Sequence, residues 1–126
     1  MSEPSEKHET GMTIRRQVLG DDHVDRAVAS TSEIDQDFQE WITSNVWGDL
    51  WARPGLEPRD RSLITIALLA AASNEELELH LRAAHNTGAT REEIVEALLH
   101  VAVYAGVPAA NTAFKLMKKI YEEEPD

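Results

Sequence analysis

The stretch ELELHLRAAHNTGATREEIVEALLHVAVYAG, residues 76–106, holds two helices and the joint between them. At about 100° per residue, Leu77, Leu81, Ala83 and Ala84 share one broad apolar face. Glu78, Arg82, His85 and Asn86 fall on the opposite side. Gly88 supplies the residue type that ends a helix in the left-handed conformation. Thr90 followed by Glu93 forms a capping box that opens the next helix, whose main stripe is Ile94, Leu98, Val101, Ala102 and Ala105. No alternating strand pattern occurs elsewhere, and helical periodicity recurs from about residue 12 to the end. The chain therefore reads as all-α.

Working outward, LITIALLAAA (63–72) belongs to a helix from about residue 58 that is apolar nearly all round, which predicts a central position. It is about half a membrane span, so it reads as a core helix. Pro58 sits in a first turn, where proline is tolerated, after the loop WARPGLEPRDR (51–61) with its Pro54 and Gly55. Upstream, Ser32 is a candidate cap for a helix to Trp47 with Ile34, Phe38, Trp41, Ile42 and Asn45 on one face. Residues 12–29 read as one or two short helices divided near Gly20. Downstream of Gly106 and Pro108, Phe114, Met117, Ile120 and Tyr121 form the buried side of a last helix. Its acidic end opposes the helix dipole and is expected to fray. The expectation is a single domain over 12–126 with about six to seven helices, after a flexible polar tail at 1–11 that carries no apolar leader.

Acidic residues outnumber basic ones 23 to 12 over 126 residues, a net charge of −11. That balance disfavours nucleic acid and anionic membrane surfaces, both of which need a basic footprint. The absence of cysteine removes disulfides, thiolate metal sites, thiol nucleophiles and dithiol redox chemistry. It fits a cytoplasmic location.

His80 lies near the middle of the apolar face, with Glu76 one turn earlier in the same direction, whereas His85 diverges into solvent. The two histidines cannot share a metal ion from one undistorted helix, and no metal is expected. Inward ionisable groups are expensive to desolvate unless paired or lining a cavity. A neighbouring carboxylate would keep a proton on the imidazole near neutral pH. A core histidine bonded to a backbone carbonyl and a catalytic histidine both remain open on this pattern. His100 lies across from the main stripe of its helix with Glu93 and Tyr104, on a face that becomes apolar towards the end. A second subunit covering it would explain this, as an interface histidine or a shared site. Arg53, Arg59 and Arg61 cluster around a helix start; they either balance local acids or bind a small carboxylate. Trp47 and Trp51 beside them are packing residues or the wall of a pocket.

Three blocks together resemble the carboxymuconolactone decarboxylase family: WGDLWARPGLEPRDRSLITIALLAA (47–71), the opening stretch without its breaks (76–106), and VPAANTAF (107–114). The resemblance covers about two-thirds of the chain. It implies an all-helical fold of the alkylhydroperoxidase D type, assembled as a homotrimer or homohexamer. Peroxidase relatives carry Cys-x-x-Cys-x-x-x-His with a glycine eight residues further on. His80 and Gly88 keep that separation, while Ser73 and Glu76 stand at the cysteine positions. The upstream glutamate of that motif is missing too; the matching region reads Arg61-Ser62. Thiol peroxidase chemistry is thereby excluded. The resemblance points instead to cofactor-free decarboxylation of 4-carboxymuconolactone to 3-oxoadipate enol-lactone in protocatechuate breakdown. His80 would be proton donor or oxyanion stabiliser, oriented by Glu76. Arg61, with Arg59 or Arg53, would bind carboxylate, and His100, Tyr104 and Trp47 would complete the pocket. A different small lactone or enolisable acid, or a non-catalytic oligomeric binding protein, are the alternatives.

Overall fold

The computed structural model describes residues 5–124, which form seven α-helices and one π-helical segment with no strand among them. The chain divides into two compact units, one up to Glu57 and one from Pro58 onward, where the sequence reads as one domain from residue 12. None of the described helices is long and apolar enough to cross a membrane.

In the first unit α1 (Glu6–Leu19) begins six residues before the apolar periodicity does. Ser5 caps it by accepting from the amide of His8 at 3.1 Å, and Glu6 and Glu9 sit in the first turn where acids complement the dipole. The expected flexible tail is thus helical from Glu6; residues 1–4 lie outside the described residues. Gly20, with φ of 92°, divides α1 from α2 (Asp21–Ala29), as expected of a glycine between two short helices.

The next helix departs furthest from its periodicity. Residues 32–35 form a turn, in which the Ser32 amide donates to Asp35 Oδ1 at 2.8 Å and the Ile34 amide to Ser32 Oγ at 3.2 Å. Helix α3 therefore spans only Gln36–Ile42 and runs into π1, the π-helical segment Thr43–Leu50. The wider π turn changes the angle per residue, so a face extrapolated at 100° loses its register beyond Ile42. Thr43 and Trp47 become buried, while Ile34, Phe38 and Trp41, expected inside, are 96%, 58% and 58% exposed.

Helix α1 packs against π1 at a backbone-to-backbone crossing. A Cβ on Gly11 would stand 1.9 Å from the carbonyl oxygen of Thr43, and one on Gly48 2.1 Å from that of Lys7. Beside the crossing the buried Arg15 donates to Thr43 Oγ1 at 3.2 Å and to Gln39 Oε1 at 3.1 Å. Lys7 reaches Asn45 and Asp49.

The second unit is a bundle of α4 (Pro58–Ala71), α5 (Leu77–Thr87), α6 (Arg91–Tyr104) and α7 (Val107–Glu123). Ser62 near the start of α4 meets Thr87 at the end of α5, hydroxyl to hydroxyl at 2.7 Å, so these two helices are antiparallel. Arg59 pairs with Glu93 at 2.7 Å, which sets the starts of α4 and α6 side by side. The Arg91 guanidinium stacks 4.6 Å over the Tyr121 ring, which runs α7 back along α6. The shared core holds Ile66, Leu81, Ile94, Leu98, Ala113 and Ile120. Burying Ile66, Ile94 and Leu98 contributes about 1.5–3 kcal/mol each before entropic costs. Helix α4 packs against all three neighbours as its composition suggests, yet Ile64 and Leu68 stay exposed on its outer side.

Two caps of the bundle follow the sequence. Gly88 ends α5 at φ 87°, and Thr90 and Glu93 form the reciprocal capping box of α6. The end of α7 does not fray as its charge pattern suggests. Arg82 on α5 binds Glu123 at 2.8 Å, Glu78 at 3.0 Å, and Glu124. The hydrogen bond from Arg82 holds the Glu123 carboxyl below its ordinary value of 4.5. A carboxyl whose folded pKa is depressed contributes stability above its unfolded value and loses it as pH falls through the folded one. Amide exchange at the last turn of α7 should therefore speed up as pH drops below about 4.5, after correction for intrinsic exchange rates. In Arg82→Ala the turn should already be open at neutral pH and insensitive to this drop. Equal protection in both proteins would sink the assignment.

Candidate functional site

The candidate residues divide between the two units. Trp47 and Arg53 belong to the first. Trp47 is buried on π1 with its ring centroid 5.1 Å from that of Trp51, and Arg53 lies exposed in the following loop. Arg59, Arg61, Glu76, His80, His100 and Tyr104 belong to the second.

Proline at the start of α4 places both arginines in its first turn, at the end of the bundle where α5 finishes and α6 begins. Arg59 is exposed, and its guanidinium already meets two carboxylates, Glu93 at 2.7 Å and Asp60 at 3.4 Å. Glu93 also accepts from the Thr90 amide at 3.0 Å, and this bond chiefly holds its carboxyl below the ordinary value. Arg61 is half-buried, with Nε shielded from solvent. The Arg59–Glu93 pair spans 34 positions of sequence; the capping box was legible, but nothing local showed that an arginine also meets it.

His80 is half-buried on α5, between the buried Leu77, Leu81 and Ala84 and the solvated side. It lies seven residues before Thr87, about 10 Å along the helix from the level of Ser62 and Arg61. Glu76 does not take the inward place expected of it. The Asn74 side chain accepts the Glu76 amide at 2.9 Å, the helix starts only at Leu77, and Glu76 is exposed at the cap position. Its link to His80 runs through the backbone, its carbonyl accepting the His80 amide at 3.3 Å. His85 is exposed, as its place on the polar face implies, with Nδ1 2.9 Å from the Arg82 carbonyl. Ser73, at one of the cysteine positions of the redox motif, takes the left-handed conformation at φ 51° between α4 and α5.

His100 and Tyr104 stack one turn apart on α6, with centroids 6.2 Å apart and planes 14° from parallel. The face that carries them is open in the single chain. Tyr104 is 85% exposed, and Leu99, Val103 and Val107 are exposed beside it in sequence. Along α6, Tyr104 stands about 16 Å from the level of Glu93, hence far from Arg59. The bundle thus sets Arg59 and Arg61 at one end, and His80, in the first turn of α5, towards the other, at about the level of the His100–Tyr104 pair. No cluster of three or more histidine, aspartate or glutamate side chains is arranged to hold a metal ion among the described residues.

Comparison with known proteins places this arrangement in context. The family model described as "Carboxymuconolactone decarboxylase family" matches residues 36–119. The chain is 41% identical over 119 residues to the 4-carboxymuconolactone decarboxylase of Acinetobacter baylyi, covering 94% of this chain and 89% of that one. It is 39% identical over 117 residues to the nitrosuccinic acid decarboxylase of Metarhizium robertsii, covering 92% and 82%. An uncharacterised 15.0 kDa protein of Paracoccus denitrificans shares 30% identity over 83 residues. With a matching family model over most of its length and relatives aligned nearly end to end, the chain belongs to the carboxymuconolactone decarboxylase family.

Proposed function

We propose that the protein is a cofactor-free decarboxylase that converts 4-carboxymuconolactone to 3-oxoadipate enol-lactone. The observation that carries this reading is the 41% identity over 94% of the chain to a relative of that name. The chemistry asks little of the protein. The departing carboxylate is γ to an unsaturated lactone carbonyl, so the electron pair released with CO2 delocalises onto the carbonyl oxygen as a dienolate. The enzyme then stabilises that oxyanion and returns one proton to carbon.

His80 is assigned as the donor because it is the half-buried histidine of the bundle, set between the core and solvent. Arg61 holds the retained carboxylate in preference to Arg59, whose guanidinium is engaged by Glu93 and Asp60. Glu76 acts on His80 at most through the helix start. The open His100–Tyr104 face is covered by a second copy in a homotrimer or homohexamer, which brings these two rings to the edge of a pocket.

A second substrate is favoured by the 39% identical nitrosuccinic acid decarboxylase. Nitrosuccinate also loses CO2 next to an electron sink, its nitro group, and also keeps a second carboxylate. The test is CO2 release by the purified protein with each acid. Turnover of the lactone is expected at a kcat/KM at least tenfold above that of nitrosuccinate. Turnover of nitrosuccinate alone overturns the substrate, and turnover of neither overturns the activity.

A further inference from the structure

Away from every residue assigned to decarboxylation, α6 and α7 enclose a groove of about 360 Å³ lined by Arg91, Val95, Phe114, Met117, Lys118, Tyr121 and Glu122. We propose that this groove binds a small aromatic carboxylate. Its volume lies in the range of small-molecule sites, roughly 300–1,000 Å³. From Phe114 to Tyr121 it follows α7 for about 10 Å, room for one ring and an acid group.

The antiparallel pairing of the two helices gives the groove two unlike ends. One turn into α6, Val95 joins Phe114 and the buried Met117 as an apolar end. The Phe114 ring and the Met117 thioether favour a flat, polarisable ligand through edge and offset stacking and sulfur–ring contact. At the other end the Arg91 guanidinium lies over Tyr121, with Lys118 nearby. A guanidinium oriented by ring stacking presents N–H groups in the plane that matches a carboxylate.

The charge pattern supports the same occupant. The sequence ends α7 in three successive glutamates, yet Arg82 on α5 draws Glu123 and Glu124 to itself. Among the described residues Glu122 is then the one acid that lines the groove, beside the cations Arg91 and Lys118, in a chain of net charge −11.

The test uses the whole protein and three probes in calorimetric titration: benzoate, benzyl alcohol and hexanoate. Benzoate should bind saturably, and at least tenfold more tightly than either of the other two. Arg91→Gln and Lys118→Glu should each weaken benzoate at least fivefold with unchanged far-UV circular dichroism. Lys118 is exposed at the groove, so its variant decides the matter if Arg91→Gln folds poorly. Arg61→Gln should leave benzoate binding intact, which separates this groove from the proposed reaction site. Absent binding, equal binding of the neutral or aliphatic probe, indifference to both groove substitutions, or loss in Arg61→Gln would each overturn the proposal. So would a change of oligomeric mass by light scattering in Lys118→Glu, because the groove would then be covered by a second copy.

Discussion

His80→Ala should lower kcat for decarboxylation by ~10²–10⁴-fold with KM within a few-fold of wild type. A group that delivers a proton in the transition state contributes little to holding the ground-state acid, so its loss falls on kcat. The structure leaves His80 half-buried, neither sealed in the core nor fully solvated, as a donor to a small acid requires. His85→Ala, five residues on and exposed, should leave kcat unchanged. His100→Ala should lower kcat less, about tenfold, if the second copy brings it only to the edge of the pocket. Full kcat in His80→Ala, together with a lowered melting temperature, would make His80 a core histidine whose hydrogen bond serves packing alone.

Gly11→Ala is expected to be strongly destabilising. The new Cβ would sit 1.9 Å from the Thr43 carbonyl oxygen and 2.9 Å from the Gly48 nitrogen. Both are backbone atoms, so no side chain can swing away. Overpacking typically costs ~1–3 kcal/mol where side chains can adjust, and this position lies at or above the top of that range. Relief requires α1 and π1 to separate, which also breaks the Arg15 bonds to Thr43 and Gln39. The urea midpoint should fall accordingly, and Gly55→Ala, with open space around its Cβ, is the matched control that should change little. Equal midpoints for both variants would show that the crossing is looser than described.

What was legible in the sequence follows from where its signals are local. Gly88, Thr90–Glu93 and Pro58 act within one turn, and each sits where local chemistry put it. The four helices of the bundle were readable from apolar stripes on α5, α6 and α7 and from the nearly all-round apolar character of α4. The first unit was harder because its packing depends on the absence of side chains. Gly11 and Gly48 contribute backbone proximity, which no hydrophobic periodicity records, so the polar α1 was placed too late. The π segment defeated the periodicity beyond Ile42, where Thr43 and Trp47 turn inward, while Ile34 falls in the turn before α3 and Phe38 and Trp41 lie exposed on α3 itself. At the candidate site, His80 was singled out from its helical position, and the structure half-buries it. Glu76 was misplaced because one side chain, Asn74, shifts the start of α5 and leaves the carboxylate outside. The partner of Arg59 could not be read at all, because Glu93 becomes its neighbour only when α4 and α6 lie parallel.

The division at Glu57 also sorts the chromophores. Trp41, Trp47 and Trp51 all precede it, and Tyr104 and Tyr121 both follow it. Tryptophan emission therefore arises wholly from side chains of the α1–π1 unit, whereas circular dichroism sums over both units. A melt followed by tryptophan alone would record the history of less than half the chain. Should the two probes part company on heating, no single melting temperature describes this protein, and each unit must be assigned its own.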